Sequence, residues 1–300
     1  MKRYAAIDIG SNAVRLLIAD LVKSESGISF KKNTLVRVPL RLGDDAFLHQ
    51  QLSERKVGDL RKAMLAFRNL MDVYHVERYM ACATSAMRES RNGSDIIKAI
   101  EIEANIHIET ITGQKEAAII CSGRVEEQIN TQSNYLYVDV GGGSTELSLF
   151  SFGALVVSRS FDLGTIRILD HKDRTETWQE LKMWIKEHTQ NLKNIDGIGS
   201  GGNINKLFRL SRQKDGEPVS YNRLKSIYSQ LNALSYKERV NTLGLNQDRA
   251  DVIIPASEIY LTVMKHASIK QMYVPRIGLV DGIIHSLILQ HSKELKEIYV

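Results

Sequence analysis

The stretch Tyr137–Phe150, YVDVGGGSTELSLF, joins two hydrophobic strand patterns through three consecutive glycines. Glycine is disfavoured inside strands and adopts backbone conformations that other residues avoid, so three in a row predict a tight turn that approaches a ligand closely. The backbone N–H groups of such a turn can point inward and bind an anion without any formal charge. The sequence therefore predicts a phosphate site formed by Gly141, Gly142, Gly143, Ser144 and Thr145.

The N-terminal stretch Ala5–Asp20, AAIDIGSNAVRLLIAD, repeats the same order of features. Both stretches place an aspartate and a glycine, D-x-G, at the end of a strand pattern, followed by small polar residues and a second strand. The two aspartates, Asp8 and Asp139, lie 131 positions apart. That distance is far longer than a solenoid repeat, so the pattern predicts a duplicated domain.

Strand and helix patterns alternate through both halves, which predicts an α/β fold of two similar domains. We expect a central cleft between the two glycine turns, because ligands favour binding in such clefts. The predicted domains are residues 1–123 and 124–300, and the last helix, 282–300, could pack back on the first domain.

Composition restricts the class of protein and of ligand. The 300 residues are 43% hydrophobic and 25% charged, with no apolar run near the ~20 residues that a membrane span needs. The N-terminus has no signal-peptide pattern, which predicts a cytoplasmic location without membrane contact. A net charge of +5 favours anionic partners, but the basic residues are dispersed and match no nucleic-acid-binding motif. Cys82 and Cys121 form no CxxC pair, so they indicate neither a disulfide framework nor a zinc site.

Two acids flank the glycine turn and change the chemistry expected there. Asp139 and Glu146 would repel a bare phosphate, so their presence is explained best by a Mg²⁺ ion between carboxylate and phosphate oxygens. Asp8 would complete the set of metal ligands from the other half of the chain. The alternative is that the three glycines only form a hairpin, and the matching turn after Asp8 argues against it.

Several motifs, in chain order, resemble those of one family. The turns D-x-G-S-N at Asp8–Asn12 and D-x-G-G-G-S-T-E at Asp139–Glu146 resemble the two phosphate-binding turns of the exopolyphosphatase/guanosine pentaphosphate phosphatase (Ppx/GppA) family, within the actin/Hsp70/sugar-kinase superfamily. The resemblance extends from Asp8 to Gly282, and the combination of motifs is highly specific. Five further segments carry it: ATSAMRESRNG (83–93), ITGQKEA (111–117), LGTIR (163–167), GSGGN (199–203) and RAD (249–251).

The resemblance implies two ribonuclease H-like (actin-like ATPase) domains and a reaction. The reaction is Mg²⁺-dependent hydrolysis of the terminal phosphoanhydride of inorganic polyphosphate, which releases orthophosphate. Glu116 matches the family's catalytic base, which would orient and deprotonate the attacking water, although without the motif it would be an ordinary exposed helix glutamate. Arg88 matches an arginine that would balance phosphate charge. The terminal phosphate would be held by Ser11, Asn12, Gly141, Gly142, Gly143, Ser144 and Thr145.

Other substrates and activities are compatible with the same residues. Guanosine pentaphosphate (pppGpp) also presents a terminal phosphoanhydride, so the sequence does not separate a pppGpp 5′-phosphohydrolase from an exopolyphosphatase. A non-hydrolytic sensor that binds ppGpp or ATP is a second alternative, and Glu116 argues against it. A kinase of the same superfamily would need an acceptor pocket, of which the sequence has no mark. The resemblance also makes a homodimer plausible.

Three positions depart from the family's pattern. Lys115 replaces the first acid of an E-E pair, which predicts either a lower pKa of Glu116 or a contact with substrate phosphate. Asn203 replaces a threonine, and Val280 lies where the family has an arginine, so substrate preference does not follow from the resemblance alone. None of the three is one of the predicted metal ligands or the predicted base.

Overall fold

The computed structural model describes residues 2–24, 27–122, 132–275 and 278–292. The chain divides into two compact units, unit 1 with Met1–Arg124 and Gly278–Val300 and unit 2 with Val125–Ile277. The predicted domain boundary between residues 123 and 124 lies outside the described residues. Among the described helices, none is both long enough and apolar enough to cross a membrane.

Unit 1 contains a five-stranded sheet with the strand order β3-β2-β1-β4-β5. Strand β1 pairs antiparallel with β2 and parallel with β4. The strands are β1 (Arg3–Ile9), β2 (Val14–Ser24), β3 (Gly27–Val38), β4 (Arg78–Ala83) and β5 (Ile108–Thr110). The helices are α1 (Leu42–His49), α2 (Glu54–Val73), α3 (Ser85–Glu89), α4 (Gly93–Ala104), α5 (Gly113–Ser122) and, near the C-terminus, α13 (Leu279–Gln290).

Strand β1 is the hydrophobic centre of unit 1. All of its residues after Arg3 are buried, as expected for a strand that carries apolar residues on both faces. Helix α13 packs against β1, β4 and α5, so this part of the chain belongs to unit 1. The helix begins at Leu279, three residues before the predicted start, and residues 293–300 of the predicted helix lie outside the described residues.

The crossing of α13 and α5 depends on a glycine. A Cβ atom at Gly282 would lie 2.7 Å from the carbonyl carbon of Ile119, closer than Cβ atoms approach backbone. We expect Gly282→Ala to lower the free energy of unfolding, measured by chemical denaturation, by about 2 kcal/mol because the two helices must separate. Gly58→Ala is the matched control, since Gly58 is also helical but has open space around its Cβ position. The control should stabilise by up to about 1 kcal/mol, and equal effects of the two substitutions would contradict this account.

Unit 2 contains a six-stranded sheet with the strand order β10-β11-β9-β6-β7-β8. Strand β6 pairs antiparallel with β7 and parallel with β9. The strands are β6 (Asn134–Val140), β7 (Thr145–Ser151), β8 (Ala154–Phe161), β9 (Ile195–Ser200), β10 (Val219–Ser220) and β11 (Gln271–Tyr273). The helices are α6 (Thr165–Leu169), α7 (Thr175–Thr189), α8 (Gly202–Ser211), α9 (Tyr221–Ala233), α10 (Tyr236–Asn241), α11 (Gln247–Ala250) and α12 (Ile253–His266).

Helix α12 runs through the hydrophobic core of unit 2. It packs against β6 and against α6, α7, α8 and α9. Its fully buried residues include Ile253, Ile259, Tyr260, Val263 and Met264. A helix covered on most sides supports the strand that it touches, and β6 leads into the turn described next.

Candidate active site

The glycine-rich turn of unit 2 closes the hairpin between β6 and β7. The backbone N–H of Gly141 donates to the carbonyl of Ser144 at 2.9 Å, which forms a tight turn. Asp139 and Glu146 stand at paired positions on the two strands at the base of this turn. The hydroxyl of Thr145 donates to the carbonyl of Leu163 at 2.6 Å, so its proton is used within unit 2.

Helix α6 is hydrogen-bonded to the backbone carbonyls of this turn. Three successive carbonyls accept hydrogen bonds from its first residues: Gly141 O from Thr165 N at 3.1 Å, Gly142 O from Ile166 N at 2.9 Å and Gly143 O from Arg167 Nε at 2.6 Å. Among the described residues, none accepts a hydrogen bond from the N–H groups of Gly142 and Gly143. These two N–H groups are therefore available for the phosphate that the sequence predicts.

Gly164, the N-cap of α6, makes this contact between helix and turn sterically possible. A Cβ atom at this position would lie 2.5 Å from the carbonyl carbons of Gly142 and Gly143. The backbone of Gly164 is extended, so the glycine is required by the close approach and not by its dihedral angles. The glycine of the LGTIR motif thus fixes the position of the turn that is predicted to bind phosphate.

Asp139 and Glu146 form a pair of carboxylates on adjacent strands. Asp139 Oδ2 accepts a hydrogen bond from the Ser200 hydroxyl at 3.3 Å. Glu146, which is 2% exposed, accepts one at Oε1 from the Ser160 hydroxyl at 2.8 Å. Like charges at paired positions of two strands repel each other, and a divalent cation between them would offset that repulsion.

The donor set of unit 2 fits Mg²⁺ chemically. Mg²⁺ prefers oxygen ligands and keeps several of its waters, so one or two carboxylates together with phosphate oxygens are enough to bind it. Asp139 and Glu146 supply two carboxylates. In the described parts of the chain, no group of three or more His, Cys, Asp or Glu side chains is placed to hold a metal ion. A cation bound here would therefore depend on water and substrate oxygens as well as on the protein.

The turn of unit 1 has the same construction. The N–H of Gly10 donates to the carbonyl of Ala13 at 3.2 Å, at the positions that correspond to the turn of unit 2. The next two carbonyls accept hydrogen bonds from the backbone at the start of α1: Ser11 O from Gly43 N at 2.8 Å and Asn12 O from Arg41 N at 3.0 Å. In both units, the segment that follows the third strand, β3 or β8, thus donates hydrogen bonds to the backbone carbonyls of the turn.

The charged pair at the base of this turn differs from that of unit 2. Arg15 stands opposite Asp8 at the position that Glu146 takes opposite Asp139. Arg15 Nη1 lies 2.5 Å from Asp8 Oδ2. Burial raises the pKa of Asp8, and the charge and hydrogen bond of Arg15 oppose that rise. Asp8 is partly neutralised within unit 1, which weakens the case for it as a third metal ligand.

The two polar residues predicted to bind phosphate in unit 1 lie at the tip of this turn. The hydroxyls of Ser11 and Ser85 are 2.9 Å apart, and either can be the donor. Ser85 is the first residue of α3, so the turn contacts this helix as well as α1. Asn12 is half-buried.

Arg88 is linked to the segment that carries Glu116. Its Nη1 donates to the carbonyl of Ile111 at 2.9 Å. The following residue, Thr112, caps α5: its hydroxyl accepts from the N–H of Lys115 at 3.2 Å, and its carbonyl accepts from the N–H of Glu116 at 2.9 Å. One N–H of Arg88 therefore anchors the first turn of the helix on which the predicted base lies.

The predicted base and the first aspartate are both close to Cys82. Strand pairing places Cys82 between Asp8 and Glu109. Burial, together with the charges of Asp8, Glu109 and Glu116 and against the effect of Lys115, raises the pKa of the Cys82 thiol to about 12. Cys82 is thus a buried thiol, whereas the side chain of Cys121 is outside the described residues.

The predicted site residues fall into two groups, one in each unit. The structure brings Asp8, Ser11, Asn12, Arg88 and Glu116 together in unit 1 and the segment Asp139–Glu146 in unit 2. Sequence reasoning did not name Arg15, Ser85 or Tyr260 as site residues. Two of them left a signal: aligning the two D-x-G turns places Arg15 at the position of Glu146, and Ser85 lies within the motif ATSAMRESRNG.

Comparison with known proteins assigns the chain to a family. Residues 22–291 match the model of the Ppx/GppA phosphatase family. The chain belongs to this family. The match covers both units and confirms the resemblance that the turn motifs indicate.

Relatives of this Ppx/GppA chain carry several names. Exopolyphosphatase 2 of Mycobacterium tuberculosis is 28% identical, over 96% of this chain and 99% of that protein. A bifunctional 3-dehydroquinate synthase/phosphatase of Fusobacterium nucleatum is 30% identical over 87% of this chain, which spans only 43% of that protein's length. A guanosine-5′-triphosphate,3′-diphosphate pyrophosphatase of Vibrio campbellii is 24% identical, over 95% of this chain and 59% of that protein.

Solved structures of the Ppx/GppA family share the fold of this chain. An exopolyphosphatase from Cytophaga hutchinsonii superimposes with a TM-score of 0.82 at 23% identity, over 96% of this chain and 98% of that one. The Aquifex aeolicus family member gives a TM-score of 0.76 at 22% identity, over 97% and 98% of the two chains. The likeness confirms the predicted fold class, α/β with two ribonuclease H-like (actin-like ATPase) domains.

The three residues that depart from the Ppx/GppA pattern are either paired with an opposite charge or buried in a helix. The Lys115 ammonium pairs with the Glu109 carboxylate. Asn203 is buried in the first turn of α8, and Val280 is buried in the first turn of α13. One of the two roles predicted for Lys115 is a contact with substrate phosphate. The ion pair with Glu109 competes with that contact.

Proposed function

We propose that this Ppx/GppA family member is a Mg²⁺-dependent exopolyphosphatase, which removes orthophosphate from the end of inorganic polyphosphate. The chain is a phosphoanhydride hydrolase, as membership of this phosphatase family and its relatives indicate. The assignment to polyphosphate is supported by exopolyphosphatase 2 of Mycobacterium tuberculosis, which matches this chain over nearly the whole length of both proteins.

The glycine turn of unit 2 carries the proposal. Its available N–H groups, from Gly142 and Gly143, suit the oxygens of a terminal phosphate. The paired carboxylates of Asp139 and Glu146 at the base of the same turn suit a divalent cation. A terminal phosphate and a cation could thus be bound within one short segment, which is the arrangement that phosphoanhydride hydrolysis needs.

Glu116 is the proposed catalytic base. Its carboxylate would accept a proton from a water whose oxygen attacks the terminal phosphorus. The bond from that phosphorus to the bridging oxygen then breaks, and the electron pair leaves with the shortened polyphosphate. A bound Mg²⁺ would supply charge stabilisation for the phosphate oxygens. The N–H groups of the turn and the Ser144 hydroxyl would hold the terminal phosphate during this step.

A pppGpp 5′-phosphohydrolase is the second candidate function. It is favoured by the relatives called guanosine-5′-triphosphate,3′-diphosphate pyrophosphatase, which match over 95% of this chain. The chemistry at the terminal phosphate would be the same. The substrate beyond that phosphate decides between the two functions.

Orthophosphate release from polyphosphate, pppGpp and ATP, measured in parallel with Mg²⁺ at matched end concentrations, tests the proposal. We expect release from polyphosphate to be fastest. Faster release from pppGpp would replace the proposal by the second candidate. Tight binding of ppGpp or ATP without release from any substrate would instead identify a sensor.

The metal assignment has its own test. We expect Asp139→Asn to raise the Mg²⁺ concentration needed for half-maximal activity about tenfold or more, because one of two carboxylate ligands loses its charge. The measurement is a Mg²⁺ titration of orthophosphate release. Asp95→Asn, which changes an exposed aspartate of α4, is the matched control and should leave the titration unchanged. Equal Mg²⁺ requirements for both variants would remove Asp139 from the metal site.

A further inference from the structure

Tyr260 of α12 connects two strand ends of unit 2 through one buried hydroxyl. The side chain is fully buried. Its Oη donates to the carbonyl of Ser200, the last residue of β9, at 2.6 Å. The backbone of Val140, the last residue of β6, lies beside the same hydroxyl. One phenol therefore contacts the ends of two parallel strands, β6 and β9, and is hydrogen-bonded to β9.

These two strand ends hold the Asp139 carboxylate from both sides. Asp139 precedes Val140, and the Ser200 hydroxyl donates to Asp139 Oδ2 at 3.3 Å. The residue after Ser200, Gly201, approaches so closely that a Cβ atom there would lie 2.9 Å from Asp139 Oδ1. A change in the distance between the two strand ends would therefore rotate or displace this carboxylate.

The surroundings of Tyr260 keep its hydroxyl protonated. Burial raises the pKa of Tyr260 well above its ordinary value, and the charges of Asp139 and Glu146 raise it further. A neutral phenol can donate its proton to the Ser200 carbonyl, as the structure shows.

We propose that Tyr260 is a positioning residue for divalent-cation binding: it fixes the distance between the ends of β6 and β9 and so the orientation of Asp139. The inference rests on the proposed function in one respect, the assignment of Asp139 and Glu146 as cation ligands. Groups that orient a ligating carboxylate typically contribute strongly to metal affinity, although they do not touch the metal.

Tyr260→Phe tests the proposal, because it removes one oxygen atom and keeps the ring. Mn²⁺ binding, followed by the loss of free-ion electron paramagnetic resonance signal without substrate, should weaken about tenfold. The Mg²⁺ concentration for half-maximal phosphate release should rise by the same factor, while the rate at saturating Mg²⁺ stays close to wild type. Ile259→Val is the matched control, since it trims the fully buried neighbour on α12 and keeps the Tyr260 hydroxyl.

The outcomes separate positioning from simple stability. If Tyr260→Phe and Ile259→Val both lower the melting temperature and both bind Mn²⁺ like wild type, Tyr260 is only structural and the proposal is overturned. If Tyr260→Phe does not fold, 4-fluorophenylalanine at position 260 decides, because its fluorine fills the space of the hydroxyl but donates no proton to the Ser200 carbonyl: unchanged Mn²⁺ affinity overturns the proposal and weaker binding supports it.

A failure of the proposed function would give a different result from a failure of the Tyr260 proposal. A wild-type protein that binds Mn²⁺ but releases no phosphate from polyphosphate would contradict the exopolyphosphatase assignment, and the Mn²⁺ comparison would still test Tyr260. A wild-type protein that binds no Mn²⁺ would overturn the role of Tyr260 together with the metal assignment.

Discussion

Glu116→Gln is expected to lower orthophosphate release from polyphosphate by about 100-fold or more, because a neutral amide cannot accept the proton of the attacking water. The substitution keeps the size of the side chain. The backbone of α5 at this position is held by Thr112 and, through Ile111, by Arg88, so the helix should stay in place. Initial rates at saturating Mg²⁺ and substrate measure the effect.

The control for this substitution is Glu101→Gln, which changes an exposed glutamate of α4 in the same unit. Both variants should melt close to the wild-type temperature, and only Glu116→Gln should lose activity. Wild-type rates from Glu116→Gln would remove the base assignment and would leave the choice of substrate open. Loss of folding in Glu116→Gln would show instead that the carboxylate supports α5.

Gly164→Ala is expected to reduce activity about 100-fold, since a displacement of catalytic geometry by about 1 Å has effects of that size. The added Cβ atom would overlap the peptide groups of Gly142 and Gly143, which are the predicted phosphate ligands. The overlap should also lower the free energy of unfolding by about 2–3 kcal/mol. Rates of phosphate release and chemical denaturation measure the two effects.

Gly278→Ala is the matched control, because Gly278 is likewise an extended N-cap glycine, of α13, but has open space around its Cβ position. We expect this control to change neither activity nor stability by much. If Gly164→Ala were equally harmless, the turn would have to be flexible enough to move away from α6. The turn would then not be a rigid phosphate site, and the proposed function would lose the observation that carries it.

The two turns could be predicted from the sequence because their cause is local. Glycines and small polar residues between two strand patterns require a turn, whatever surrounds them. The short helix α3 could not be predicted in this way. The run Arg78–Met87 predicts a strand throughout, but β4 ends at Ala83 because the N–H of Thr84 donates to Ile9 O at 3.1 Å and its carbonyl accepts from the N–H of Arg88.

Helix α1 was missed for a similar reason. The sequence pattern indicates no helix between residues 42 and 49, yet the chain is helical there. The backbone at the start of this helix is hydrogen-bonded to Ser11 and Asn12, some thirty residues earlier in the chain. Long-range hydrogen bonds of this kind leave no periodic pattern in the sequence.

The site itself was predicted as a set of motifs but not as a set of contacts. The carboxylates Asp139 and Glu146 and the helix position of Glu116 follow from motifs of a few residues. The role of Gly164 depends on a turn more than twenty residues earlier, and that of Tyr260 on a carbonyl sixty residues earlier. Such pairs become visible only when the strands are placed side by side.

The proposed function would make different demands on the ions in solution at the two turns. At one pair of equivalent positions, unit 1 has an acid and a base, Asp8 and Arg15, and unit 2 has two acids, Asp139 and Glu146. The first half thus contains its own counter-ion. The second half carries two like charges whose natural complement is the cation that we propose, so a single difference of sign between the two hairpins would assign the cation requirement of the proposed reaction to one of them.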